Sequence, residues 1–560
     1  MSGDPLSIGL LSDFNTYNLA LLLKKHAGSF VVHCREAPYG QTMSVLLDDK
    51  SEFWAEPYDA LVLWTLPERL IPSFSRVIAF EEFSVDDILS EVDAFAAQIQ
   101  RIPETVRTII LPSWIALGVD RGLGCLDLAN NRGVANMLMR MNMRMADNAE
   151  RDRRIVLLDA QRWLSAAGTA SFNQKLWYMS KTPFHSTVFQ EASSDILATI
   201  SGIRGLNKKV LVLDLDGTLW DGIVGDIGWE KLRLGGHDPL GEAFVDFQKE
   251  LKRVVNRGVL LAIASKNEEA TALEAIRRHP EMVLKLEDFA MWKINWHDKA
   301  ANIADIMSSL NLGLESAVFL DDSAFERARV REALPQIFVP ELPADPMQYP
   351  SFLRSLKCFD SPMISMEDRI RTKMYVADQR RSALKTEANS IGEWLEKLDL
   401  SVTVEPLNHG NLERAAQLFN KTNQMNLSTR RLTAAELFAW AETENQSLWT
   451  FRVSDRFGEY GLCGICSLVC QGAKGWMRDF LLSCRVMGRG VEEAMVCVVA
   501  QRAKTFGCTE IYTEFVPTAK NSPCERWLIN HPNLKRESNI FRLSLVNSLD
   551  FHPHVRITMA

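Results

Sequence analysis

Short apolar runs separated by stretches of helical period fill the first two segments of the chain. "SIGLLSDFNTYNLALLLKKHAG" reads as a strand, a loop and a helix. "YDALVLWTLP" (Tyr58 to Pro67), "VRTIILPSW" (Val106 to Trp114) and "RRIVLLDAQRWL" (Arg153 to Leu164) read as further buried strands. The alternation resumes at Val210 with "VLVLDLDGT", then "GVLLAIASKN" (Gly258 to Asn267) and "ESAVFLDDSAFERA" (Glu315 to Ala328). Strands alternating with helices predict parallel sheets. "PELPADPMQYPSF" (Pro340 to Phe352) is proline-rich and reads as an exit linker. A charged helix, "MEDRIRTKMYVADQRRSALK", then opens a third segment with strands at "LSVTVEPL" and "LWTFRVSD". The expected fold class is α/β and multidomain, with a central parallel sheet and domains at 1–205, 206–350 and 351–560.

The 560 residues exceed what one core supports. Hydrophobic residues make up 47% and charged residues 24%, an ordinary globular composition. A formal charge of -8 argues against a general nucleic-acid binder. No signal-peptide pattern opens the chain, and no apolar run is long enough to span a bilayer, so a cytoplasmic protein with no membrane partner is expected. Seven of the 10 cysteines fall between Cys463 and Cys524, and all are expected as reduced thiols.

Parallel α/β sheets place their chemistry at the carboxyl ends of strands. Three such ends carry pointed residues: Asp214-Leu215-Asp216-Gly217-Thr218, Ser265-Lys266-Asn267 and Asp321-Asp322. "KINWHDKAANI" precedes the third, with Lys293 and Lys299. A cluster of aspartates repels itself unless a cation sits inside it, and hard oxygen ligands suit Mg2+. Asp214, Asp216, Asp321 and Asp322 are therefore the candidate metal ligands; whether Asp321 or Asp322 touches the ion stays open. With the charge neutralised, Asp214 is placed to attack phosphorus and Asp216 to serve as acid and then base. Thr218, Ser265, Lys266 and Lys299 are candidates for holding the phosphoryl group, with Lys293 a minor competitor to Lys299. Taken alone, "DLDGT" is equally a strand followed by a turn; the ordered Ser, Lys and Asp pair downstream favour the site.

These residues resemble the haloacid dehalogenase superfamily of phosphotransferases over roughly Val210 to Pro340. The wording "DLDGTLWDGIVGDIG", "INWHDKAANI", "FLDDSAFERA", "NKTNQMNLSTRRL" and "DFLLSCRVMGRGVEEA" resembles the FkbH-like family along nearly the whole chain. That resemblance implies an enzyme that takes the glyceryl unit of 1,3-bisphosphoglycerate, removes phosphate and delivers D-glyceryl to an acyl carrier protein for polyketide biosynthesis. A cysteine carries the acyl group in transit.

Cys484 is the candidate. "GWMRDFLLSCRVMGRGVEEAMVCVVAQRAKTFG" reads as strand, loop and helix, with Val491, Met495, Val498 and Val499 on one helical face. "RVMGRG" resembles the R-x-x-G-x-G loop of GNAT-type acetyltransferases, where amides at a helix start hold a pyrophosphate. Arg485, Gly488 and Gly490 would form this cradle for a phosphopantetheine arm or a substrate phosphate. A thiol beside a helix start and two arginines is expected to ionise readily. The opposing view is that Cys484 is a buried small hydrophobe. Cys463-x-x-Cys466 lacks a second metal-binding pair and reads as core packing, with the two thiols on opposite faces of a strand. Asn426, in "NKTNQMNLSTRRL", is a candidate for the acyl pocket, and Arg430, Arg431, Arg485 or Arg489 for contacts to an acidic carrier; a solvated helix end is the even alternative.

"GLLSDFNTYNLALLL" resembles the opening block of SGNH hydrolases, with Phe14 at the nucleophile position and Thr182, not Asp, three residues before His185. The first segment is therefore expected to be SGNH-like and non-catalytic, with Ser12 as the residue to watch. Three rivals stand beside the glyceryl reading: a phosphatase on a free metabolite, an N-acyltransferase using acetyl-CoA, and a non-catalytic carrier-docking scaffold.

Overall fold

The computed structural model describes residues 5–28, 30–116, 121–236, 238–310, 312–361, 372, 374, 375, 377, 381, 384, 390–422, 424–430, 432, 434–518, 521–546 and 553–559. The charged helix expected over 366–385 lies almost wholly outside the described residues. The chain divides into two compact units, residues 1–286 with 292–369, and residues 287–291 with 370–560. Among the described residues, no helix is long and apolar enough to cross a membrane.

The first unit opens with strands β1 (Leu6–Ser12), β2 (Val32–Glu36), β3 (Ala60–Trp64), β4 (Ile109–Pro112) and β5 (Ile155–Leu158), in the order β2-β1-β3-β4-β5 and all parallel. Its two faces pack separate cores: Leu6, Ile8, Leu10, Val62 and Trp64 on one side, Leu11, Leu61, Leu63 and Ile109 on the other. Burial on both faces is why the inner strands β3 and β4 read as unbroken apolar runs, whereas the edge strands β2 and β5 are only partly buried. Gly9 is fixed by close approach, since a Cβ there would come within 3.0 Å of Leu61. Strand order reverses between β1 and β3, the place where such sheets open a ligand crevice. Here Phe14 fills it, with its ring centroid 5.2 Å from Trp64 and 5.3 Å from Phe184.

A second parallel sheet follows, made of β6 (Val210–Leu213), β7 (Leu260–Ser265), β8 (Phe289–Ile294) and β9 (Ala317–Leu320) in the order β8-β7-β6-β9. β6, β7 and β9 are buried at every position. Helix Pro239–Asn256 begins at Asp238, whose side chain accepts from the Gly241 amide. The stretch expected as an exit linker is instead folded back: Tyr349 starts helix Tyr349–Ser355 and packs its ring 5.4 Å from Phe247 and 6.0 Å from Phe244. Pro350 sits in the first helical turn, where its missing N–H costs nothing.

The second unit carries a mixed sheet: β10 (Leu400–Pro406), β11 (Met425–Asn426), β12 (Gln446–Asp455), β13 (Gly458–Gln471), β14 (Lys474–Leu482), β15 (Glu510–Glu514), β16 (Leu534–Glu537), β17 (Ile540–Ser544) and β18 (Val555–Met559). β14 runs parallel to β15 only over Lys474–Trp476, after which Leu481 and Leu482 pair with β11 instead. Register slips in β13, where Phe451 opposes Gly464 but Arg452 opposes Leu462. This bulge at Cys463 cancels the strand alternation. Cys463 and Cys466 therefore join the same core, contrary to the opposite faces that simple alternation gives. Burial pushes the Cys466 thiol well above its usual range.

Candidate active site

Loops at the carboxyl ends of β6 and β9 bring three of the expected acidic residues together. Among the described residues, Asp214, Asp321 and Asp322 form a group of potential metal ligands, with one oxygen from each lying within 4.8 Å of the others. Lys299, the first residue of helix Lys299–Ser309, sends Nζ to Asp214 Oδ2 and Asp321 Oδ2, both at 2.7 Å. Asp321 is fully buried and its Oδ1 also accepts from the Ser323 amide at 2.8 Å. Arg327 ties this turn down by donating to the carbonyls of Asp321 and Asp322, each at 2.8 Å. Gly217, with φ +71°, is needed under Asp322, because a Cβ would lie 2.5 Å from its Oδ2.

Burial, then the neighbouring Asp214, raises the Asp321 carboxyl up to about 6. Asp322 is raised by the same two causes. Burial alone would lower Lys299, but Asp214 and Asp321 outweigh it and the net shift is upward. Three carboxylates face one ammonium, so negative charge is left over. Asp214 Oδ1 is buried with no hydrogen-bond partner. A buried carboxylate oxygen in that state is costly unless a cation meets it. The donor set, all oxygen and partly open at Asp322, fits Mg2+. Because protons compete for Asp321, Mg2+ affinity should fall about tenfold per pH unit below about pH 6 and level off above it. Isothermal titration between pH 5 and 8 checks this.

The other expected residues fall into two sets. Asp216 is not part of the three-carboxylate group. Its Oδ1 accepts from Trp220 Nε1 at 2.7 Å and from the Val224 amide at 3.2 Å. Its Oδ2 accepts from Asn267 Nδ2 at 2.9 Å. Ser265 closes β7, is buried, and its Oγ accepts from the same Asn267 nitrogen at 3.3 Å. The Thr218 hydroxyl accepts from the Asp322 amide at 3.3 Å and keeps its own hydrogen to donate. Lys266 is held by Glu326 at 2.6 Å, which engages the cation expected for phosphate. Lys293 pairs with Asp305 at 3.5 Å, away from the carboxylates that Lys299 meets. Asn267 has no role in the sequence reading; its spacing of two from Ser265 is the available signal.

In the second unit the picture changes. The side chain of Cys484 and the whole of Arg431 lie outside the described residues. Arg485 is exposed and directs Nη1 to Met374 Sδ at 3.7 Å. Gly488 (φ +68°) and Gly490 (φ +81°) take the left-handed backbone that opens helix Val491–Thr505. The Gly488 amide is not free for an anion, because it donates to Glu492 Oε1 at 2.6 Å. Burial pushes the Glu492 carboxyl up to about 7. The Asn426 amide donates to the Thr422 carbonyl and accepts from the Thr429 amide, which holds its own loop. Arg430 is tied to buried Asp479. Arg489 donates to the Tyr460 hydroxyl and stacks over the Tyr460 ring.

In the first sheet, Ser12 Oγ accepts from the Phe14 amide at 3.3 Å, and His185 caps an exposed helix start beside Thr187.

The chain is similar to a solved structure, the N-terminal part of a Bacteroides fragilis protein containing a phosphatase domain complexed with Mg. Identity is 30% over 64% of this chain and 95% of that one, with a TM-score of 0.59. The middle sheet is haloacid-dehalogenase-like. This likeness supports an enzyme with a phosphatase domain. A spermidine N-acetyltransferase from Vibrio cholerae in complex with CoA and spermine overlays 26% of this chain and 98% of its own at 16% identity, with a TM-score of 0.22. No protein-family model matches the chain, and no curated protein does.

Proposed function

We propose that the chain is a Mg2+-dependent phosphotransferase that dephosphorylates a phosphoglyceryl unit derived from 1,3-bisphosphoglycerate and passes D-glyceryl through Cys484 to an acyl carrier protein. The observation that carries the phosphotransfer part is the buried, unpartnered Asp214 Oδ1 beside Asp321 and Asp322. The glyceryl and carrier parts rest on the sequence resemblance to the FkbH-like family.

Asp214, Asp321 and Asp322 would hold Mg2+, which when bound supplies positive charge against the phosphoryl oxygens. The chain's own residues do the rest. Lys299 holds Asp214 through Oδ2 and so fixes its direction of attack. An Asp214 oxygen bonds to phosphorus as the bond from phosphorus to the glyceryl oxygen breaks, and that oxygen takes a proton from Asp216. Water then gives a proton to Asp216 and bonds to phosphorus, and Asp214 leaves as carboxylate with inorganic phosphate released. At the acyl end, the Cys484 thiolate displaces the acyl phosphate as inorganic phosphate and forms a thioester. The carrier's pantetheine thiol then takes the acyl group and returns a proton to Cys484.

The Glu492 contact engages the Gly488 amide, which weighs alike against seating acetyl-CoA or the carrier's phosphopantetheine phosphate on that amide. The deciding experiment incubates the protein with 1,3-bisphosphoglycerate, Mg2+ and a carrier, and reads the intact mass of both proteins. A glyceryl adduct removable by hydroxylamine is expected on the enzyme, followed by its appearance on the carrier. Cys484→Ala should abolish both. Normal carrier loading by Cys484→Ala would reject the thioester route, and phosphate release without any adduct would favour a phosphatase on a free metabolite.

A further inference from the structure

We infer that Asn267 and Trp220 are positioning residues that aim Asp216 at the leaving group and Ser265 at the phosphoryl group. The inference rests on the phosphotransfer reading of Asp214. Asp216 is two residues from the nucleophile, yet its carboxylate is not one of the three that cluster there. Three donors turn it the other way: Trp220 Nε1 at 2.7 Å, the Val224 amide at 3.2 Å and Asn267 Nδ2 at 2.9 Å. A carboxylate only accepts, so the amide of Asn267 has to present its nitrogen there. The same nitrogen donates to Ser265 Oγ at 3.3 Å. With its oxygen accepting from Asn267, Ser265 keeps its own hydrogen to donate to a phosphoryl oxygen. One buried amide, 3% exposed, thus sets the direction of two side chains from two strand ends.

Trp220 is a rigid mount. It is fully buried, and its carbonyl accepts from the Gly217 amide at 2.9 Å. The preceding Leu219 carbonyl accepts from Gln248 Nε2 at 2.9 Å, and Gln248 Oε1 accepts from the amides of Val283 and Leu284. The loop after β6 is therefore anchored to helix Pro239–Asn256, and the indole N–H has little freedom to leave Asp216. Pre-set orientation of this kind matters most where the reaction needs a proton delivered to a poor leaving group.

The test compares two phosphate esters with the full-length protein and Mg2+. Glycerol phosphate has an alkoxide leaving group that must be protonated, whereas p-nitrophenyl phosphate departs without a proton. Asn267→Ala should lower kcat about 100-fold on glycerol phosphate and under about fivefold on p-nitrophenyl phosphate. Its Mg2+ affinity by isothermal titration should stay within about twofold of the unsubstituted protein, because Asp214, Asp321 and Asp322 are untouched. Trp220→Phe keeps an aromatic ring but lacks the N–H donor, and should show the same selectivity to a smaller degree; it serves if Asn267→Ala does not fold. Equal losses on both esters, or no loss on either, would overturn the inference while leaving the phosphotransfer reading standing. Absence of Asp214-dependent turnover in the unsubstituted protein would overturn both.

Discussion

Asp214→Asn should abolish phosphate release, with a loss of at least about 10⁴-fold in kcat, because an amide oxygen does not form the phosphoenzyme bond. The substitution preserves shape, so folding is expected to survive. It also removes one negative charge from a group that has too many, so thermal stability without Mg2+ should hold or rise. Phosphate release assays and thermal melts on the same preparation separate the two effects. A structural role for Asp214 predicts the reverse pattern: retained turnover with a lower melting temperature. Mg2+ should bind the variant more weakly, since the buried orphan oxygen of Asp214 is part of the attraction.

Lys299→Met should have the largest effect on stability. The ammonium is 3% exposed and bridges two carboxylates at 2.7 Å each. Removing one partner of a buried ion pair leaves charge uncompensated and costs about 3 kcal/mol or more. The cost depends on pH with a definite sign. Asp321 in the intact site already titrates at about 6 against an ordinary 3.8, so its folded form binds more protons than the unfolded chain between those values. Rising pH therefore takes stability away across that window, and loss of Lys299 should raise the folded value further and extend the loss upward. Denaturant melts from pH 5 to pH 8 without Mg2+ should show the variant nearly intact at the acid end and weakest at the alkaline end. Saturating Mg2+ should restore much of the difference, as any ligand of the folded state does.

The sequence made the parallel sheets legible because they are buried on both faces, and so β3, β6, β7 and β9 appear as plain apolar runs. The order of the strand-end motifs was enough to name Asp214, Lys299, Asp321 and Asp322. Three kinds of information were out of reach. Parity arguments fail wherever a strand bulges, which is why Cys463 and Cys466 share a core. Side-chain direction is set by donors far away in sequence: Asn267 lies 51 residues from Asp216 and still decides where its carboxylate faces. Asn426 is set locally instead: its amide bonds to Thr422 and Thr429 within its own loop, a turn that a polar run does not spell out. Proline density at 340–352 suggested a tether because composition cannot register a single tyrosine wedged between two phenylalanines.

Glu492 has a consequence for any nucleotide-bearing molecule that approaches the glycine turn before helix Val491–Thr505. An internal carboxylate already plugs the amide where a diphosphate would seat, so the newcomer must evict a group of its own sign. Eviction becomes easier in acid, once that plug carries a proton, and harder as the solution turns basic.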